Sequence, residues 1–298
     1  MCGIVGLFLK DKTLEPKLGA MLSDMLITMT DRGPDSAGIA IYATGDEGAG
    51  KLTIQSDADQ PDFETVAKDI SDAIGAPVAA RTNDTHCVLD MPAAKMGEAR
   101  DYLATARPDI RVMSTGDRVE IYKEVGLPHE VVSRFGIRAM GGSHGVGHTR
   151  MATESAVTTD GAHPYNTGPD QCLVHNGSLS NHNSLRRELT REGIRIESEN
   201  DTEVGAAYLT WKMQNGATLG EALESGLEDL DGFYTFLVGT KDGFGVLRDP
   251  IACKPAVLAE TDQYVAFGSE YRALVNLPGI EDAKVWEPEP ATVYFWSH

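Results

Sequence analysis

Cys2 stands directly behind the initiator methionine, in Met1-Cys2-Gly3-Ile4-Val5-Gly6. A residue that small at position 2 permits removal of Met1, and the thiol then carries its own free α-amine. An α-amine has a pKa of about 7.7–8.0, so near neutral pH it can take the proton of the thiol beside it. Nucleophile and base are then one residue. Further polar clusters lie at the ends of expected strands, where a rigid sheet positions the loops that leave it. These are Arg32-Gly33-Pro34-Asp35-Ser36, Gly147-His148-Thr149-Arg150, His175-Asn176-Gly177 and Asn200-Asp201-Thr202-Glu203. Each has a plain structural reading: a turn at Gly33-Pro34, a surface arginine at 150, an Asn-Gly hairpin turn at 176–177, an N-cap at Asp201.

The elements that must position these groups follow from apolar periodicity. Ile4–Leu9 is a short apolar run, expected to be a buried first strand. Leu14, Leu18, Met21, Leu22, Met25, Leu26 and Met29 recur every three or four residues, the stripe of a helix. Ser36–Ala43 is an expected strand. The Gly-, Asp- and Ala-rich stretch from Gly45 to about Gln60 is expected to be an exposed connection. A β-α-β-β module is expected at about 85–125, inside a long insert at about 46–145. Cys172-Leu173-Val174 is a short strand running into His175-Asn176-Gly177. Ser180 is placed to cap a helix through Leu185 and Leu189, and 203–214 is a second helix. Thr218-Leu219-Gly220-Glu221 is a capping-box pattern that opens a third. Strands follow at 233–238, 245–247, 256–258, 264–267 and 293–295. Runs of strands and runs of helices, without strict βαβ alternation, favour an antiparallel α+β or layered architecture.

The chain has 298 residues, 41% of them hydrophobic, and a formal net charge of −19. That composition supports a sizeable core and disfavours nucleic acid and anionic membrane as partners. No apolar run approaches the ~20 residues of a membrane helix. Cys2, Cys87, Cys172 and Cys253 are far apart, without metal-ligand spacing. Neither a disulfide framework nor a zinc site is expected, and the expected compartment is a reducing cytoplasm.

Taken together and in order, Met-Cys-Gly-Ile-x-Gly, Arg-Gly-Pro-Asp-Ser-Ala-Gly, Gly-His-Thr-Arg, Ala-His-Pro, His-Asn-Gly and Asn-Asp-Thr-Glu resemble the class II glutamine amidotransferases, the N-terminal-nucleophile glutaminases. The resemblance covers residues 1–45 and 146–298. It implies a four-layer αββα sandwich of two antiparallel sheets and hydrolysis of the glutamine side-chain amide to glutamate and ammonia. Carried over by motif, Cys2 is the nucleophile, and the Asn176 side-chain amide and Gly177 N–H are the oxyanion donors. Arg150 grips the substrate carboxylate, a task suited to a planar guanidinium, and Asp201 grips the substrate ammonium. Thr153 and His175 belong to the substrate-binding set, and Arg32, Gly33 and Asp35 to the supporting loop. One position departs: many members continue Thr-Arg-x-Ala-Thr with His-Gly, whereas Glu154-Ser155 follow Thr153 here. That bears on how the loop closes over glutamine, not on the nucleophile.

No isomerase, phosphoribosyltransferase or flavin domain is visible. With its long insert and short length, the chain is expected, by resemblance, to be similar to the free-standing amidotransferase subunit of glutamate-synthase-like assemblies, N-methylglutamate synthase among them. That similarity implies synthase partner subunits in a hetero-oligomer, with flavin and iron–sulfur centres on those partners and no cofactor in this chain. Within it the insert is expected to be a docking or regulatory module. Two other readings are a glutamine-binding sensor without turnover and an N-terminal-nucleophile amidohydrolase acting on another amide.

Overall fold

The structure, a computed structural model, describes residues 2–43, 45, 48–58, 60–152 and 156–298. The first half of the chain runs β1 (Gly3–Leu9), α1 (Leu18–Thr28), β2 (Ser36–Tyr42), β3 (Ala49–Ser56), α2 (Phe63–Ile74), β4 (Ala79–Asn83), β5 (His86–Pro92), α3 (Met96–Ala106), β6 (Ile110–Gly116), β7 (Val119–Val125), α4 (Pro128–Arg134) and β8 (His144–Arg150). The second half runs β9 (Tyr165–Gly168), β10 (Gln171–Leu179), α5 (His182–Arg191), α6 (Asp201–Gln214), α7 (Leu219–Asp229), β11 (Gly232–Thr240), β12 (Gly243–Arg248), β13 (Val257–Glu260), β14 (Tyr264–Gly268), β15 (Lys284–Trp286) and β16 (Val293–Ser297).

Among the described residues these strands form a seven-stranded sheet β15-β13-β14-β1-β8-β2-β7, a five-stranded sheet β16-β12-β11-β10-β9 and a four-stranded sheet β4-β5-β3-β6. Neighbouring strands pair antiparallel throughout. The alternation of side chains along a strand explains the layering. From β1, Val5, Leu7 and Leu9 pack with Leu22 and Leu26 of α1. Ile4 and Phe8 point the other way, onto Val174, Leu237 and Phe244 of the five-stranded sheet. That second sheet turns Leu173, Tyr234, Phe236 and Val238 outward against Leu189, Val204 and Leu223 of α5, α6 and α7. The result is the αββα sandwich, with Cys2 just ahead of the central strand β1. Among the described residues no helix is long and apolar enough to cross a membrane.

The insert differs from its expected form. The four-stranded sheet takes β3, β4, β5 and β6 and packs on α2 and α3 with its own core of Leu52, Ile54, Val66, Ile70, Leu89 and Leu103. Its order is β-α-β-β-α-β over 49–116, in place of a β-α-β-β module over 85–125. Residues 119–125 are β7, which pairs with β2 from Ser36↔Val125 to Tyr42↔Val119. The redirection is made by Asp170, whose carboxylate accepts the N–H groups of Asp117 (2.9 Å), Arg118 (2.8 Å) and Val119 (2.9 Å). The stretch expected as an exposed connection holds β3, whose polar face is buried too. Lys51 pairs with Glu120 at 3.1 Å, and Ser114 donates to Thr53 at 2.8 Å. Polar residues on a buried face imitate a loop in the sequence.

The remaining helices are fixed locally. Residues 132–137 contain the end of α4 and pack Val132, Phe135 and Ile137 under α1. α5 follows Asn181, with no side-chain cap from Ser180. The capping box at Thr218 and Glu221 forms, with Thr218 Oγ1 accepting the Glu221 N–H at 3.2 Å.

Candidate functional site

β1 and β8 run antiparallel with Gly3 opposite Thr149, and β2 sets Ser36 opposite Arg150. This register brings Cys2, Asp35 and Arg150–Ala152 to one end of the seven-stranded sheet. The Met151 N–H approaches Cys2 Sγ at 3.5 Å. The Cys2 carbonyl accepts two bonds, from Arg32 Nε at 2.9 Å and from Asn176 Nδ2 at 2.9 Å. Arg32 is itself held by Glu270 at 2.6 Å, and that pairing draws the Glu270 carboxyl below its ordinary range. Asn176 Nδ2 lies 3.3 Å from Ser269 Oγ, which also accepts the Ile4 N–H at 2.9 Å. Arg32 from the α1–β2 connection, Asn176 from the second sheet and Ser269 after β14 thus converge on the backbone of residues 2–4.

Asp35 clamps the strand end opposite it. Its carboxylate accepts the Ala152 N–H at 2.7 Å, and its own N–H donates to the Arg150 carbonyl at 3.1 Å. Gly33 lies flat on this strand, where a Cβ would come within 2.5 Å of the Thr149 carbonyl carbon. The expected turn at 32–35 therefore also serves as a brace.

Arg150, the neighbour of Met151, lines a cavity of about 420 Å³ together with Asp160, Tyr165, Ser178, Glu199 and Asp201, among others. Arg150 is nearly buried, and its Nη1 donates to the Ala156 carbonyl at 3.2 Å. Asp201 opens α6 behind the N-cap Asn200, which accepts the Thr202 N–H at 2.9 Å. The Asp201 carboxylate accepts the Leu179 N–H at 2.9 Å, which ties α6 to the end of β10. One cation and several carboxylates on a common wall suit a zwitterion the size of an amino acid. Among the described residues no cluster of His, Cys, Asp and Glu could hold a metal ion.

Comparison with known proteins identifies the family. A family model described as a glutamine amidotransferase domain matches residues 148–276. The glutamine amidotransferase-like protein GlxB of Rhizobium meliloti is 68% identical over 298 residues, covering 100% of this chain and 99% of that one. A putative glutamine amidotransferase of Methanothermobacter thermautotrophicus is 32% identical over 304 residues, with 99% of each chain covered. The chain belongs to the class II glutamine amidotransferases. Among solved structures, the allosteric regulatory enzyme of purine biosynthesis superposes with a TM-score of 0.65 at 19% identity over 99% of this chain. Glutamine phosphoribosylpyrophosphate amidotransferase from B. subtilis does so with 0.63 at 19%. Both share the N-terminal-nucleophile fold, and this chain spans 47% of the length of each.

Other residues of this amidotransferase stand differently from their sequence-based roles. His175-Asn176-Gly177 is not a hairpin turn: β10 runs straight through it, paired with β11 from Cys172↔Gly239 to Leu179↔Gly232. His175, expected at the substrate, is buried behind the cavity and outside its lining, with Nδ1 3.0 Å from Thr202 Oγ1. Adjacent strand residues face opposite sides, so with Asn176 turned toward Cys2 the His175 ring goes to the α6 side, where Nδ1 also lies 3.9 Å from Asp201 Oδ1. There the ring meets His163, whose Nε2 is 2.7 Å from the same Thr202 hydroxyl, and His148, which packs on His163 with centroids 4.0 Å apart and ring planes tilted by 32°. Burial pushes His175 down to about 4 and His148 down to about 3, so these rings are neutral at pH 7. Thr153 and Glu154 lie outside the described residues.

Sequence reasoning missed Ser269 and Glu270, which contact the Asn176 and Arg32 side chains. Nothing but their place after β14 marks them. Gly177 has a backbone requirement stronger than its motif suggests. Its φ is 144°, and a Cβ there would come within 1.9 Å of the Phe233 carbonyl oxygen. Gly177→Ala is expected to cost about 2–4 kcal/mol and to displace Asn176, read as a lower thermal midpoint and a lost activity.

Proposed function

We propose that this chain hydrolyses the side-chain amide of L-glutamine to glutamate and ammonia, with Cys2 as nucleophile. The observation that carries the reading is the convergence of Arg32, Asn176 and Met151 on Cys2, together with a cavity lined by both Arg150, the neighbour of Met151, and Asp201. The reading requires Met1 to be removed. The Cys2 α-amine then accepts the thiol proton, and the thiolate attacks the amide carbon. Collapse of the tetrahedral adduct expels ammonia, which leaves with the proton returned by the amine, and a thioester remains. Water attacks the thioester and frees glutamate and the thiol. Asn176 keeps one N–H on the Cys2 carbonyl and turns the other from Ser269, the longer of its two contacts, to the developing oxyanion. The Gly177 N–H is the second donor. Arg150 binds the α-carboxylate and Asp201 the α-ammonium, with Thr153 in the same substrate-binding set. Arg32, Gly33 and Asp35 hold the frame around the nucleophile.

The test is direct. Purified chain incubated with glutamine is expected to release glutamate and ammonia one for one, from enzyme whose intact mass begins at Cys2. Binding of glutamine without release of glutamate would establish the sensor reading. Asp201→Asn is expected to raise KM about tenfold or more with a smaller effect on kcat, since it removes a charge-assisted contact present in ground and transition states alike. A KM unchanged in that variant overturns the role of Asp201.

The ammonia, in this proposal, passes to partner synthase subunits of the glutamate synthase or N-methylglutamate synthase type. What supports this is the likeness of the chain, with its 49–116 module, to the amidotransferase subunits of such assemblies. The module is the proposed docking or regulatory element. Co-purification from the native cell tests both: recovery of the chain without a synthase subunit would count against them.

A further inference from the structure

Lys123, in β7, is a buried cation that the chemistry above does not use. Its side chain is 3% exposed. Its ammonium points at three backbone carbonyls of one loop: Asp160 at 3.3 Å, Ala162 at 2.8 Å and Pro164 at 3.3 Å. An ammonium has three N–H donors, so the set is saturated. The Tyr165 ring closes the nest, its centroid 4.4 Å from Nζ, and its hydroxyl donates to the Asp160 carbonyl at 3.0 Å. The neighbouring Glu124 accepts the Thr159 hydroxyl. Thr158, Asp160, Gly161 and Tyr165 of this same stretch line the cavity that holds Arg150 and Asp201.

We infer that Lys123 is a positioning residue for glutamine: it holds the 158–165 loop against β7 and thereby shapes the wall on which the amino-acid head group binds. The inference rests on the reading of that cavity as the glutamine pocket. The physical argument is that a loop of this length, left to itself, has no sheet or helix partners for its carbonyls. A charged donor serving three of them at once replaces a ladder of backbone bonds, and bonds to an ionised donor are the stronger kind. The cost is desolvation of the ammonium, which pushes the Lys123 side chain down to about 8. Among the charged groups around it, Asp160 and Glu203 favour the cation and Arg111 opposes it. A lysine kept at that cost, with all three donors on one loop, is placed for order there rather than for solubility.

The role is to orient and not to react, so it predicts a split in the kinetics. In the full chain, Lys123→Met keeps the length of the stem and removes the charge and donors. It is expected to raise the KM for glutamine more than about tenfold while kcat falls less than about threefold. Alkylation of Cys2 by iodoacetamide, which has no amino-acid head group, is expected to proceed at the wild-type rate. Equilibrium binding of labelled glutamine in a Cys2→Ala background is expected to weaken by the same factor as KM rises. An unchanged KM and an unchanged affinity overturn the inference. So do parallel losses of kcat and of Cys2 alkylation, which mean general disorder. Should Lys123→Met not fold, Tyr165→Phe removes the second donor on the Asp160 carbonyl. A KM rise of about threefold then supports the tie and no rise refutes it. Absence of glutamine turnover in the unaltered chain, by contrast, sinks the glutaminase reading, and the binding measurement still decides the role of Lys123.

Discussion

Cys2→Ala abolishes glutamine hydrolysis and leaves the fold intact: that is the expected result with the largest effect. The thiol is the proposed nucleophile that forms the covalent acyl intermediate, and its removal is expected to reduce glutamate release by about 10⁴-fold or more. The fold survives because the contacts of residue 2 that matter structurally are made by its backbone. Its carbonyl receives Arg32 Nε and Asn176 Nδ2, both at 2.9 Å, and neither bond involves the side chain. The side chain is only half-buried and stays out of the apolar clusters. Thermal unfolding of Cys2→Ala is therefore expected within a few degrees of the parent chain, and labelled glutamine is expected to bind. Release of ammonia at an undiminished rate by Cys2→Ala would refute the nucleophile. Met1 retained on fully active enzyme, seen by intact mass, would refute the α-amine as its base.

The second large effect is expected in acid. Five imidazoles are buried away from water. Desolvation pushes His86, His144 and His148 down to about 3, His175 down to about 4, and His163 well below its ordinary range. The unfolded chain takes up protons at these sites as pH falls through about 6.5, while the folded chain takes them up only at much lower pH, near 3–4 for His86, His144, His148 and His175. The unfolded state therefore binds more protons across that window, and stability falls as pH falls. It is complete above about pH 6.5. Each site contributes up to about 1.4 kcal/mol per pH unit in the window, so five together approach about 7 kcal/mol per unit. That rivals the whole stability of an ordinary domain, about 5–15 kcal/mol. Carboxylates held low by partners, such as Glu120 and Glu270, add their own loss only at more acid pH. Unfolding is expected between about pH 6 and 5, earlier than carboxylate titration alone produces. Circular dichroism melts from pH 7.5 to 5 read it directly, and a midpoint that stays flat to pH 5 contradicts it.

Three of these histidines surround one hydroxyl or its neighbours, and that cluster shows what a sequence can carry. His148, His163, His175 and Thr202 were all visible as members of short motifs, yet the motifs do not say which member touches substrate. Asn176 and His175 are adjacent letters. In β10 they face opposite sides, one toward Cys2 and the other toward Thr202. Only the direction of each side chain on a paired strand separates them, and pairing is a tertiary fact.

The fold was legible in the same uneven way. β1, α1, β2 and the capping box of α7 each have an apolar period or a local bond that the residues themselves specify. β3 has neither, because its polar face is buried at the seam against β7 and its apolar face serves a separate small core. β7 looked like the closing strand of the module because Thr115-Gly116-Asp117 has the composition of a hairpin turn. It crosses to the main sheet because Asp170, more than fifty residues on, accepts three of the backbone N–H groups there.

The four-layer sandwich and the head-group roles of Arg150 and Asp201 are what the family resemblance implies, whereas the sequence by itself determined the nucleophile's candidate position, the order of the polar motifs and an antiparallel α+β class. Those follow from residue type and local spacing, which chain connectivity preserves. The tertiary structure alone decided that Ser269 and Glu270 join the site, that Asn176 and Arg32 both hold the Cys2 carbonyl, that His175 lies behind the cavity, and that Lys123 ties down its wall. The reason is the same in each case. These are contacts between residues 30 to more than 260 positions apart, or between faces of one strand, and their energies depend on approach and burial that no local pattern encodes.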